Sequence, residues 1–494
     1  MATRDLLLGL DLGTSSLKGI FLNGNGEILA KHEIALATHR SGSHGEVAEQ
    51  NAHDYRDALV EFINVANKSH ELIGRVKAIG LSGHTPSLVP IDSNGEPTAP
   101  VMIWQDNRAS TEARALAERF GDPRKIIGTS LPWSPSTTAA KAFWLRKNSN
   151  ALVAKTRWLL QPKDYLGFLL TGAAISDPWS TKGLCNVRTA QPLDEVLDFI
   201  GWSGDVVPEL RDGFASRGVT SEKCASAFGV PSGIPVSVGW SDAMCGMLAL
   251  GVFAKPTSFI ITGTSAIVGT STASAPENDQ PLYLIPEGAA PNPVIFGPTQ
   301  MSGGSISWAA QLFGITENEF ISRGAANSSA QVPTYLPYIA GERAPLWRED
   351  IRGSYTNISI THDSSAFARA TMEGICFAER QVVELSQQLT KSNLYERDEI
   401  VISGKAGNDP RWLATRLRTM GRALRVVDDV EITCRGAAIL ADVIHTQNIS
   451  ASTAALSVSG NVVHPSNADR EYGNVNYQIF RAEQEALLAK TALR

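Results

Sequence analysis

Apolar positions in the first ninety residues fall into two rhythms. Residues 6–12 and 17–22 are near-continuous apolar runs, and a third β-like run extends to about Leu36. Asn23-Gly24-Asn25-Gly26 between them has turn composition, so the opening reads as a three-stranded antiparallel meander. From about residue 52 to 67 the period lengthens: Tyr55, Leu59, Phe62, Ile63 and Ala66 recur at helical spacing, with Asn51 or Asp54 as a cap. A fourth strand over 76–82 precedes Pro86 and another β-like segment at 88–92.

Strand, strand, strand, helix, strand is the order of a ribonuclease-H-like α/β unit. The opening pattern recurs about 250 residues later, where residues 258–269 again read as an apolar strand, a Gly-Thr-Ser turn and an apolar strand, suggesting internal duplication. Between the copies, 234–240 reads as a strand and 243–250 as an apolar helix, and 251–256 is a reasonable junction. Two domains are therefore expected, 1–252 and 253–494. The second half closes with helix (364–389), strand (399–403), helix (409–422), strand (424–427) and helix (436–444), an alternation that implies parallel strands with ligands at their carboxyl ends.

The interruptions of the apolar pattern carry the chemistry. The first strand ends in Asp11, followed by Gly13-Thr14-Ser15; the second copy carries Gly263-Thr264-Ser265. Glycine lets backbone N–H groups approach an anion, and the hydroxyls add donors, so each turn suits a phosphate. A carboxylate beside phosphate oxygens would repel them, which assigns Asp11 to a magnesium ion. A plain hairpin turn is the alternative for either copy taken alone; the matching positions of the two weigh against it.

Composition narrows the classes. At 494 residues the chain is long enough for two or three cores, and its net charge of −6 argues against nucleic acid or an anionic membrane as a main partner. The five cysteines form no C-x-x-C pair, so no disulfide framework or zinc site is written, and no apolar stretch reaches about 18 residues. A cytoplasmic setting is expected. Neither G-x-x-x-x-G-K-[ST] nor G-x-G-x-x-G occurs, which disfavours P-loop and Rossmann enzymes.

Six segments stand in an order that resembles the FGGY carbohydrate kinases, and most the xylulose kinases among them: Asp11-Leu-Gly-Thr-Ser-Ser-Leu-Lys18, Trp104-Gln-Asp-Asn-Arg108, Gly239-Trp-Ser-Asp-Ala243, Thr262-Gly-Thr-Ser265, Gly341-Glu-Arg-Ala-Pro345 and Ser403-Gly-Lys-Ala-Gly-Asn408. The resemblance implies two ribonuclease-H-like (actin-like ATPase) domains flanking a catalytic cleft, with transfer of the γ-phosphoryl of ATP to a sugar or polyol hydroxyl. It implies Asp242 as general base and, with Asp11, as a magnesium ligand. Thr14, Ser15, Lys18, Gly263 and Thr264 would meet the phosphates, Gly303 the ribose, and Gly404, Gly407 and Asn408 the adenine. The adenine loop departs from the family's three glycines, with Ser403 and Lys405 at the first and third places. On residues alone, Asp242 as a helix cap is the plainer reading.

His84, Thr85, Trp104, Asp106 and Arg108, with Asp242, are expected to line the sugar, since aromatic faces and charged groups suit polyols; a buried structural Asp–Arg pair is the alternative for Asp106 and Arg108. Xylulose kinases read Ser-Gly-Gln-Met-His-Gly where this chain has Ser82-Gly-His84-Thr85-Pro86-Ser87, and Asn where it has Ala243. The expected substrate is a ketopentose such as D-xylulose, with other ketoses, polyols or sugar acids (gluconate, glycerol-like) as alternatives. An actin- or chaperone-like ATPase and a non-catalytic sugar sensor are the readings from other classes. Expected partners are the sugar and ATP, with a homodimer allowed for.

Overall fold

The computed structural model describes residues 4–42, 46–68, 72–329, 331–391, 399–404, 407, 409–429 and 431–492. Asn408 and Lys405 lie outside the described residues. The chain forms two compact units: residues 1–254 with 285–291 and 431–457, and residues 255–284 with 292–430 and 458–494.

In the first unit the meander forms as the apolar runs dictate, with strands Leu6–Leu12, Ser16–Leu22 and Ile28–Ala35 antiparallel to one another. Val76–Gly83 joins Leu6–Leu12 in parallel, and Pro235–Ser237 and Trp240–Ser241 continue the sheet beyond it. The helix Ala52–Lys68 buries Tyr55, Leu59, Phe62, Ile63 and Ala66, the positions its period singled out. The expected strand over 234–240 is broken in two. Gly239 adopts φ +88, and a Cβ there would lie 2.4 Å from the Leu81 carbonyl oxygen, so the chain turns where only glycine fits and swings Ser241 and Asp242 to the end of the strands.

The second unit repeats the scheme. Ser258–Thr262 and Ala266–Ser271 are antiparallel, and Ile400–Ser403 and Leu424–Val426 extend the sheet in parallel from the first of them. Its long helix, Ser364–Leu389, is capped by Asp363 and buried along most of its length against Ile260, Ile400 and Ile402.

The expected break near residue 252 leaves everything beyond it in the second unit, but segment 431–457 belongs to the first. Its helix, Ile432–Thr446, begins earlier than its apolar pattern suggests and lies on strands Leu6–Leu12 and Val76–Gly83. Glycines make this approach possible: a Cβ on Gly9 would fall 2.0 Å from the Cys434 carbonyl oxygen and one on Gly80 1.6 Å from that of Ala437. Gly436 sits as tightly under Cys245 of the helix Asp242–Ala249. All five cysteines are buried and free, and no described helix is long and apolar enough to cross a membrane.

Candidate active site

Asp11 lies at the carboxyl end of its strand, 7% exposed. Parallel register sets it beside Ser82, whose hydroxyl donates to Oδ1 at 2.7 Å, while the Thr433 hydroxyl donates to Oδ2 at 3.1 Å. Burial nevertheless raises the Asp11 carboxyl above its ordinary value. Thr433 escapes a sequence reading because it is 422 positions away along the chain.

Asp242 is the first residue of the helix Asp242–Ala249. The cap is Ser241, whose hydroxyl accepts from the Met244 N–H, so Asp242 is not consumed in capping. Its Oδ1 accepts only from the adjacent Ala243 N–H, at 2.7 Å, among the hydrogen bonds described. Burial, then the charge of Asp11, push this carboxyl up to about 7, against the pull of Ala243 N–H and Lys182. A carboxyl poised there can take a proton from a hydroxyl near neutral pH. Two carboxylates within electrostatic reach, one still holding free lone pairs, also suit Mg2+, which usually binds through one or two carboxylates and fills its shell with water and phosphate oxygens.

The first turn is closed by the Gly13 N–H donating to the Ser16 carbonyl at 3.0 Å, leaving Thr14 half-buried and Ser15 exposed. Trp104, 40% exposed, donates its indole N–H to the Thr14 hydroxyl at 3.0 Å, joining a sugar candidate to a phosphate candidate. Lys18 stands instead between Glu33 and Glu431, 3.9 and 3.8 Å away.

His84 is buried, with Nδ1 2.9 Å from the Ser87 hydroxyl and Nε2 without a partner among the described residues. Burial, helped by Lys141, lowers its pKa to about 3, so the ring is neutral and offers one nitrogen to a ligand. Thr85 beside it is half-buried. Asp106 is fully buried and takes the Ala48 N–H and the Arg108 N–H and Nε, and Arg108 also reaches Glu49 at 2.8 Å and lies over Trp144. This geometry makes the Asp106–Arg108 pair a brace for the loop carrying Trp104. Three buried lysines went unnoticed in the sequence: Lys163 pairs with Asp164 and Asp177, Lys141 donates to the Pro86 carbonyl and Lys182 to that of Trp179, and burial lowers the last two to about 7 and 8. Their ordinary surroundings along the chain carry no signal of this.

In the second unit Gly263 and Thr264 are exposed at the turn between Ser258–Thr262 and Ala266–Ser271. The turn is fastened to the start of the helix Gly303–Leu312: the Gly263 carbonyl accepts from Gly303 N–H, and the Thr264 carbonyl from Ser302 and Gly304 N–H. Gly404 has φ +97 and a Cβ there would meet the Thr262 carbonyl at 2.3 Å, while Gly407 donates its N–H to the Gly404 carbonyl. Gly263, Thr264, Gly303, Gly404 and Gly407 thus share one end of this sheet.

The whole chain superposes on solved structures of this architecture, the actin-like ATPase fold. A xylulose kinase from Rhodospirillum rubrum matches with TM-score 0.87 at 20% identity, covering 99% of this chain and 100% of that one. A gluconate kinase from Lactobacillus acidophilus matches with TM-score 0.86 at 20% identity, covering 99% of each. A xylulose kinase from Lactococcus lactis is 27% identical over 414 residues, 81% of this chain and 80% of that protein. Residues 6–249 match the N-terminal domain, and 258–444 the C-terminal domain, of the FGGY family of carbohydrate kinases, and the chain belongs to that family. It is a sugar phosphotransferase.

Proposed function

We propose that the enzyme transfers the γ-phosphoryl group of ATP to a hydroxyl of a ketopentose, D-xylulose foremost, with Asp242 as general base. The observation that carries this is the Asp242 carboxyl itself: released from capping by Ser241 and pushed up to about 7, it is matched to accepting a hydroxyl proton near neutral pH. Phosphoryl transfer needs little covalent help, so the remaining groups align and neutralise. Gly263 and Thr264 offer N–H and hydroxyl donors to the phosphates, while Gly303 lies against the ribose and Gly404 and Gly407 against the adenine; Thr14 and Ser15 offer donors from the first turn, where Trp104 holds Thr14 in place. Asp11 and Asp242 would hold Mg2+, which supplies charge neutralisation at the β- and γ-phosphates when bound. Ser82 and Thr433 keep the Asp11 carboxylate oriented for that duty. His84, neutral with Nε2 free to pair, is the polar contact for the sugar.

The xylulose assignment rests on the relatives' names and on this polar wall. Pro86 and Ala243 stand where xylulose kinases carry a His and an Asn, so two polar side chains are missing from this wall, and the gluconate kinase likeness makes a sugar acid the rival substrate. Coupled ADP-release assays over ketopentoses, polyols and aldonates test it. D-xylulose is expected to give the highest kcat/KM; turnover confined to aldonates would overturn the substrate while leaving a kinase.

A further inference from the structure

Two side chains of the Gly341-Glu-Arg-Ala-Pro345 segment reach the stretch of chain that leads to Gly303 in the second unit. Glu342 is 4% exposed, and its Oε1 accepts from the backbone N–H of Gln300 and, at 2.8 Å, of Arg343. Arg343 reaches past it, donating Nη2 to the Thr299 carbonyl at 2.6 Å. Thr299 is itself locked to the strand that leaves the Gly263–Thr264 turn: its N–H donates to the Ala266 carbonyl at 2.9 Å and its hydroxyl accepts from the Ala266 N–H at 3.1 Å. Three residues beyond Thr299, Ser302, Gly303 and Gly304 make the bonds that fasten the turn. On the opposite side the Ser302 hydroxyl donates to Glu379, which is paired with the buried Arg416 at 3.1 Å.

We infer that Glu342 and Arg343 are positioning residues for the nucleotide: they clamp residues 299–300 so that the Gly263–Thr264 turn, fastened through Ser302, Gly303 and Gly304, is held ready for the phosphates. This rests on the reading that the Gly263–Thr264 turn and Gly303 meet ATP. The clamp is built from backbone bonds to a single carboxylate oxygen, which fixes the path of the main chain more tightly than side-chain packing would. The other oxygen, Oε2, has no partner among the described residues, so a neutral amide at this position keeps every bond described.

The test is steady-state kinetics with each substrate varied. Glu342→Ala is expected to raise the KM for ATP about tenfold, the loss expected when a charge-assisted hydrogen bond that organises a site is removed, with the sugar KM within about twofold. Glu342→Gln, which retains Oε1, is expected to restore the ATP KM. A merely structural role would lower the amount of active enzyme or change both KM values alike, and either result would overturn the inference, as would failure of Glu342→Gln to rescue. If Glu342→Ala does not fold, Arg343→Met removes the second arm of the clamp and is read the same way. Thr264→Ala is run in parallel: raised ATP KM there with none in Glu342→Ala overturns the clamp alone, whereas no change in Thr264→Ala removes the nucleotide reading and the clamp with it.

Discussion

Replacing Gly80 by alanine tests how the site acid is held. The added methyl would lie 1.6 Å from the Ala437 carbonyl oxygen and 3.1 Å from the Ala441 nitrogen, both backbone atoms of the helix Ile432–Thr446. Neither can rotate away, so the helix must lift from the sheet. Overpacking costs about 1–3 kcal/mol where side chains can adjust, and a clash with backbone belongs at or above the upper end. At about 2 °C per kcal/mol for a unit of this size, the melting temperature should fall by about 6 °C or more. The same displacement carries Thr433 away from Asp11, a bond already 3.1 Å long. Turnover should therefore drop in molecules that remain folded at 25 °C. Gly74→Ala is the control, since a methyl there meets nothing within 4 Å. Scanning calorimetry and kcat are measured on both variants. A Gly80→Ala protein with the melting temperature and kcat of the parent would refute the claim that this helix is seated by its glycine contacts.

Two further outcomes are expected. Because the Asp242 carboxyl of the free enzyme is pushed up to about 7 and must be ionised to accept a proton, kcat/KM should rise with pH through about 7 and level off above it. Asp242→Asn should lose about 10²–10⁴-fold in kcat while still binding nucleotide. The same shift runs against stability, since a carboxyl whose folded pKa lies above its unfolded value contributes stability at low pH that is lost as pH rises through 7; Asp242→Asn should thus melt higher than the parent at pH 8, and a lower melting point there would contradict the burial argument. His84→Ala should raise the sugar KM much more than the ATP KM, and equal changes in the two would remove His84 from the sugar site.

Much of this was legible from the chain. The meander, the helix bearing Tyr55 and Phe62, and the duplicated Gly-Thr-Ser turns follow from periodicity and turn chemistry, which are local. Asp11 stands out because it interrupts an apolar pattern at the end of a strand, whereas Asp242 is singled out by the family resemblance, its surroundings alone reading as a helix cap. What escaped was set by contacts between distant segments. Periodicity marks the apolar face of helix 432–446 but not the sheet it covers, so the segment looked like part of the second half. The signal was present in Gly9 and Gly80, since glycine inside an otherwise apolar strand marks a close backbone approach. Thr433 could not be matched to Asp11 without that packing, nor Ser82 without the parallel register of the two strands. The loop pair Asp106–Arg108 turned inward for a related reason: Ala48 N–H, from a neighbouring strand, competes for the carboxylate.

The return of helix 432–446 to the first sheet has a consequence for biosynthesis. A ribosome delivers the meander and its parallel partner early, then makes residues 255–430 before the covering helix exists. At about 5–20 residues per second, the glycine-lined face of that sheet, complete at Gly83, waits roughly 20–70 s for the helix that begins at Ile432. During that interval the nascent chain leaves uncovered the apolar sheet face in the very region that carries Asp11, the kind of exposed surface on which nascent chains aggregate.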